Sequence, residues 1–276
     1  MEFWRTIKES KVAMAATLLL AFFLLLAIFA GQLAPRDPLK TGDKALQSPS
    51  GDYWFGTDDL GRDVFSGVIH GARTSISIGI IVALLSNLLG LAIGLVAGYA
   101  SNWLDDLLMR FTELFLIPPR FFLILIIAAI YGSSYFNLIL VLSLTLWPLT
   151  ARLVRAEVLA LKKRGFIEAA RALGASHRRI MIREILPNIL PLLITNAMLK
   201  IGTIILLEAS LEFLGLGDPS QISWGYMLHS GQHYMRDGWW MVVFPSLAIS
   251  LLLLALNLLG DELNKALDPK LRGRLT

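Results

Sequence analysis

The sequence predicts an all-α membrane protein with six transmembrane helices, on three observations. Hydrophobic residues make up 55% of the 276-residue chain and charged residues 17%, against about 45–50% and about 25% in an average soluble domain. The apolar residues fall in long blocks, and Lys and Arg gather in particular connections instead of spreading over a surface. A net charge of +4 without a continuous basic stripe leaves no footprint for nucleic acid. Cysteine is absent, which excludes disulfide frameworks, thiolate metal sites and cysteine nucleophiles.

A bilayer core of about 30 Å requires about 20 mostly apolar helical residues. Windows 12–34, 74–99, 107–131, 136–156, 189–208 and 240–260 satisfy this. Arg5, Lys8 and Lys11 precede the first window as they would a secretory signal. Its apolar run is longer than the about 7–15 residues of a cleaved signal, so it reads as a retained anchor. The second window carries Gly90, Gly94 and Gly98 at a spacing of four, a stripe that lets another helix approach closely. In the third, Pro118 and Pro119 remove backbone donors and predict a kink within one spanning helix.

Basic residues set the orientation. The connection after the fourth window holds Arg152, Arg155, Lys162, Lys163, Arg164, Arg171, Arg178, Arg179 and Arg183, so it is expected on the cytoplasmic side. Both termini then lie inside, in agreement with Lys265, Lys270, Arg272 and Arg274 in the 263–276 tail. The expected organisation is a cytoplasmic start and first helix over 1–34, an extracytoplasmic loop over 35–73, a five-helix core over 74–262, and the tail. Arg36, Lys40, Lys44, Arg62 and Arg73 run against this bias in the outer loop, beside six Asp residues.

In the fifth window Asn196, Lys200 and Thr203 share one helical face by their i, i+4, i+7 spacing. A charge at membrane depth faces a water-filled path or a partner charge. Together with Glu113 these residues are the translocation-path candidates; the alternative is a structural pairing of Lys200, with Glu113 as its partner.

The 157–187 connection is the most specific part of the chain. After Gly165, the residues Phe166, Ala169, Ala170 and Leu173 recur at helical spacing and predict a short amphipathic helix stopped by Gly174. Ser176 is placed to cap a second helix over 177–186, with Pro187 as its break. A short helix with small Ala169 and Ala170, held between two spanning helices, suits docking in a groove of another protein. The alternative is a connector lying on the membrane surface.

On the other side, 56–63 reads as a turn-rich acidic loop in which Gly56 and Gly61 permit tight backbone and Asp58 or Asp59 caps the next helix. Asp58, Asp59, Gly61, Arg62 and Asp63 are candidates for docking or gating there. His229 and His233 stand four apart, but Gly231 lies between them and Asp237 is the nearest acid, so no metal site is assigned. No arrangement of nucleophile, base and acid assigns a catalytic residue.

Several motifs together resemble a known family. Glu168-Ala169-Ala170, then Gly174 after three intervening residues, and Leu186-Pro187 resemble the EAA loop of the membrane subunits of binding-protein-dependent ABC importers. Glu184 stands where that pattern often has Ile before Leu-Pro. The 56–63 stretch, Gly71-Ala72-Arg73-Thr74-Ser75, Leu214-Gly215-Leu216-Gly217 with Pro219 and Trp224-Gly225, and the ending from Gly260-Asp261-Glu262-Leu263 to Leu267-Asp268-Pro269 are similar to the C-type permeases of dipeptide, oligopeptide and nickel importers. The resemblance runs over about residues 33–272. It implies a type I importer permease fold in a bacterial or archaeal cell membrane. It also implies that Glu168, Ala169, Ala170, Gly174, Leu186 and Pro187 couple the chain to an ATPase.

The resemblance further implies a complex with a homologous second permease, two ATPase subunits and an extracytoplasmic solute-binding protein. The chain lacks the G-x-x-x-x-G-K-[ST] phosphate cradle and any Gly-Lys dipeptide. ATP and Mg are therefore expected in the partner ATPases, with no cofactor and no catalysis in this chain. Peptides are the expected cargo, with nickel or another small solute as the alternative. An ion-coupled secondary transporter would use the polar residues of broken helices and would need no docking helix.

Overall fold

The computed structural model describes residues 10–100, 102–132 and 134–267. Arg5, Lys8, Lys270, Arg272 and Arg274, used above for orientation, lie outside the described residues. Among those described, regular structure is helical, and the sole extended pairing is an isolated bridge between Thr57 and Asp63.

Helix α1 (Lys11–Ile28) starts at Ser10, whose Oγ accepts the Ala13 N–H at 3.2 Å. A helical turn, Ala30–Leu33, follows it. After the loop come α2 (Val64–Tyr99), α3 (Asn102–Leu114), α4 (Arg120–Tyr131), α5 (Tyr135–Leu161) and α6 (Gly165–Ala172). The remainder is α7 (Leu186–Leu211), α8 (Trp224–Gly231) and α9 (Trp240–Leu267). Five of the described helices are long and apolar enough to cross a membrane: α1, α2, α5, the helix over His177–Leu216 that contains α7, and α9.

Three boundaries differ from the sequence expectation. Helix α2 begins at Val64 instead of Thr74, so the loop expected over 35–73 ends at Asp63 and not at Arg73. Its first turns carry Ser66, His70, Arg73, Thr74 and Ser75, which dilute an apolar window without weakening the helix. The third window is not one kinked helix. Two adjacent prolines, with residues before them restricted away from helical backbone, break it between α3 and α4. Helix α3 is amphipathic, with Asp105, Asp106, Arg110 and Glu113. Helix α4 has 12 residues, about 18 Å, which is short of a full crossing.

The third difference lies at Pro187, which breaks nothing. His177–Arg179 continues through a π-helical stretch, Ile180–Ile185, directly into α7. The wider π turn bonds the Leu186 N–H to Met181 O and gives room to a ring that would otherwise meet the preceding turn. Asn188 Nδ2 donates to Glu184 O at 2.6 Å, satisfying a carbonyl beside the proline.

The chain forms two compact units. The first comprises residues up to Ile81, Ala128–Ile139, and the chain from Met198 onward; the second comprises Val82–Ile127 and Leu140–Ala197. In the first, Phe23 of α1, Ile76 of α2, Ile205 of α7, Trp224 of α8 and Leu252 of α9 share one buried cluster. The Trp224 indole N–H donates to Val68 O at 2.9 Å, so this large ring is buried without an orphaned donor.

In the second unit the glycine stripe does what its spacing predicts. A Cβ at Gly90 would stand 2.8 Å from Trp147 O, one at Gly94 2.8 Å from Val154 Cβ, and one at Gly98 2.7 Å from Val158 Cβ. Helices α2 and α5 therefore touch backbone to side chain along the stripe. Thr150 Oγ1 also donates to Asn87 Oδ1 across it at 3.0 Å.

Candidate functional site

The 157–187 connection is anchored at both ends. At the near end Lys162 Nζ donates to Gly98 O at 3.1 Å and Tyr99 O at 3.0 Å, capping the last carbonyls of α2. Burial holds this lysine below its usual value, Arg171 pushes the same way, and Asp105 opposes them. At the far end His177 Nδ1 and Tyr99 OH are 2.9 Å apart. The Ser176 hydroxyl oxygen accepts the Arg179 N–H at 3.4 Å, the cap that the sequence predicts.

Helix α6 lies between these anchors and divides its apolar residues between two faces. Ile167 is fully buried and packs with Val154, Val158, Ile180 and Ile189, while Ala170 covers the same cluster. Phe166 is 44% exposed and Leu173 88% exposed, with Ala169 open beside them. The expected single stripe of Phe166, Ala169, Ala170 and Leu173 is therefore corrected. Ala170 turns inward with Ile167, and the other three face outward. Glu168 is exposed, and its carboxylate has no hydrogen-bond or ion-pair partner among the described residues.

Gly174 has φ +77, with nothing within 4 Å of where a Cβ would stand. The glycine is thus required by left-handed backbone and not by crowding. Its N–H donates to Arg171 O at 2.9 Å and the Ala175 N–H to Ala170 O at 3.0 Å, closing α6 as a helix end of the glycine type. Leu186 is half-buried and Pro187 exposed at the start of α7.

The path candidates are distributed over both units. Glu113 lines a charged cavity of about 550 Å³ in the second unit with Asp106, Arg110, Arg152 and Arg155. Arg155 donates from Nε to Asp105 Oδ1 at 2.5 Å and from Nη2 to Asp105 Oδ2 at 2.6 Å, a bidentate pair. Asn196 is half-buried and its Oδ1 accepts no hydrogen bond among the described residues. Lys200 is half-buried, and the exposed Thr203 donates to Leu199 O at 3.5 Å.

The 56–63 loop turns its motif inward. Asp58 accepts the Leu60 N–H at 2.9 Å, the Arg62 N–H at 2.8 Å and Arg62 Nε at 2.6 Å, around Gly61 with φ +73. Burial works against the Arg62 charge, but Asp58 and Tyr226 outweigh it and lift the group above its ordinary value. Burial, aided by the Asp58 charge, raises Asp59 above the usual carboxylate range. The cap of α2 is Asp63 and not Asp58 or Asp59. Its Oδ2 accepts the Ser66 N–H at 2.9 Å and Oγ at 2.6 Å. The Trp240 indole N–H donates to Thr57 O at 2.9 Å and ties the loop to α9.

Sequence reasoning missed one buried polar cluster. Glu208 and Glu212, four apart at the end of α7, are both buried. Ser75 Oγ donates to Glu208 Oε1 at 3.2 Å, and Glu212 accepts the Ser223 hydroxyl and the Tyr226 N–H. The Glu-x-x-x-Glu spacing at the edge of the fifth window was the available signal. Gly225 is there for space, since a Cβ on it would stand 2.8 Å from Glu212 Oε2.

Residues 90–273 match the family described as binding-protein-dependent transport system inner membrane component. Residues 1–49 match the N-terminal transmembrane domain of oligopeptide transport permease C. The chain is 38% identical over 273 residues to a dipeptide transport system permease protein of Alkalihalophilus pseudofirmus, covering 98% of this chain and 90% of that one. It is 41% identical over 275 residues to a glutathione transport system permease protein of Escherichia coli O6:K15:H31, covering 99% and 91%. A glutathione permease protein of Pectobacterium atrosepticum is 39% identical over 274 residues, covering 98% and 91%.

Proposed function

We propose that this chain, which belongs to the family of binding-protein-dependent transport system inner membrane components, forms half of the path through which an ATP-driven importer carries short peptides. It is a multi-pass permease subunit with the all-helical type I importer fold. The peptide reading is supported by relatives that bear dipeptide and glutathione transport names, glutathione being itself a short peptide. Those relatives favour neither a nickel importer nor an ion-coupled transporter. The other half of the path is a homologous permease. Two ATPase subunits bind ATP and Mg, and an extracytoplasmic solute-binding protein delivers the cargo.

One observation carries the coupling assignment: α6 keeps Ile167 for its own unit and presents Phe166, Ala169 and Leu173 outward beside Glu168, which has no partner among the described residues. Exposed apolar residues around one polar group are what a small hydrophobic docking site requires. Helix α6 sits in a groove of an ATPase subunit on the cytoplasmic face, where both chain termini also lie. Closure of the ATPase pair on ATP draws the docked helix with it. The load passes through Ile167 into the Val154, Val158 and Ile189 cluster of α5 and α7, and this chain performs no hydrolysis itself.

Reconstituted importer carrying Glu168→Ala tests the assignment. Peptide uptake per ATP hydrolysed should fall several-fold while the chain still assembles. An unchanged ratio of uptake to hydrolysis, with unchanged ATPase binding, would remove α6 from the coupling role.

A further inference from the structure

Five basic residues of the loop and first turns of α2 ran against the orientation bias, and the structure accounts for two of them internally. Arg62 is paired with Asp58, and Arg36 lies 3.9 Å over the ring of Tyr53. Arg73 has no such use. It is exposed on α2, makes no ion pair among the described residues, and lines a cavity of about 380 Å³ within the first unit.

The chemistry of that cavity favours an anion. Arg73 is its one permanently charged lining residue, and no carboxylate lines it. His70 stands one turn away on α2, with Nδ1 donating to Ser66 O at 3.1 Å, which leaves Nε2 as an acceptor for a ligand N–H. Ser77 Oγ donates to Thr74 O at 2.8 Å, so the Tyr135 hydroxyl, 2.9 Å away, donates to Ser77 Oγ and is held at the wall with its oxygen able to accept from a ligand. The nearby acid, Asp218, is occupied elsewhere: Oδ1 accepts Ser220 N–H and Oγ, and Oδ2 accepts the Tyr135 N–H at 3.1 Å. Although burial pushes Asp218 the other way, these bonds hold it below the usual carboxylate range.

We propose that Arg73 binds the free carboxylate of a short peptide on its way through the permease, with His70 Nε2 and the Tyr135 hydroxyl oxygen accepting from the peptide's N–H groups. A guanidinium in a cavity presents the fork that a carboxylate matches with two hydrogen bonds. The volume lies in the range of about 300–1,000 Å³ that small-molecule sites occupy, which fits a dipeptide-sized molecule and not the flat face of a docking protein. This site rests on the peptide-importer reading above and names the group by which the permease itself grips the cargo.

The test uses the complete permease and ATPase complex in nanodiscs without solute-binding protein. A fluorescent N-acylated dipeptide serves as probe, displaced by Ala-Ala or by its C-terminal amide. The free acid should compete about tenfold better than the amide, as expected for a charge-assisted contact. Arg73→Gln should abolish that preference and Arg73→Lys should keep most of it. Equal competition by acid and amide in the unaltered complex, absence of probe binding, or a preference retained in Arg73→Gln would overturn the site. So would an Arg73→Gln variant that changes only the half-saturating concentration of solute-binding protein in ATPase stimulation, which would assign the arginine to protein docking. Dipeptide uptake by the complete importer, measured in parallel, separates the two levels. Uptake without the preference removes only this site, whereas no uptake removes the peptide reading with it.

Discussion

The 56–63 loop and the 165–174 segment are both glycine-and-acid motifs, yet the fold treats them in opposite ways. In the loop, Asp58 and Asp63 close on Arg62 and Ser66, Gly61 turns the chain, and Arg62 is nearly buried. In the segment, Glu168 has no described partner, Gly174 stands in open space, and Leu173 is the more exposed neighbour of a buried Ile167. A motif in which Asp58, Arg62 and Asp63 find their partners within the chain serves the fold, even with Asp59 Oδ1 left without a hydrogen bond among the described residues. One whose polar and apolar groups are left outward serves another chain, because folding alone gives no reason to keep Phe166 and Leu173 in water.

Substitutions at four positions sharpen or break this contrast. Leu173→Asp should lower coupled uptake about 30-fold, the effect of losing a contact of about 2 kcal/mol at a docking centre. It should leave thermal unfolding within about 0.5 kcal/mol, since the side chain contributes little to this chain's own core. Uptake in proteoliposomes and melting in detergent read the two quantities separately. A melting loss as large as the uptake loss would make Leu173 a fold residue after all.

Arg62→Ala should give the opposite pattern. It leaves Asp58 largely buried without its partner and should destabilise the chain by about 2–3 kcal/mol, with coupling per folded molecule unchanged. Gly174→Ala forces an L-residue into left-handed backbone at a cost of about 1–2 kcal/mol and tilts the end of α6. Gly174→Asn, which tolerates that backbone better, should restore much of the several-fold loss in coupling. The smallest effect is expected of Asp63→Asn, which keeps a capping oxygen and should cost no more than about 1 kcal/mol by thermal unfolding.

Features that depend on spacing alone were legible in the sequence. The stripe of Gly90, Gly94 and Gly98 encodes close approach in the missing side chains themselves, and α5 lies against it. The 165–174 helix and its stop were legible for the same reason, although the side on which Ala170 falls depends on the cluster beneath it. The start of α2 was hidden because Ser66, His70 and Arg73 look like loop residues until Asp63 is seen to cap them. The continuous helix through Pro187 was not legible at all, since an i→i+5 turn leaves no residue signature. Nor was the burial of Glu208, whose hydroxyl partner Ser75 is 133 positions away in the chain.

Absence of cysteine permits a direct test of the docking claim without background thiols from this chain. Leu173→Cys in the 165–174 segment and Leu60→Cys in the 56–63 loop are placed singly in the full importer and treated with a short thiol-to-amine cross-linker in the ATP-free and ATP-bound states. The docking account predicts an adduct between Cys at position 173 and an ATPase subunit in both states, and none from position 60. No ATPase adduct at 173 in either state, or equal adducts from both positions, would contradict it.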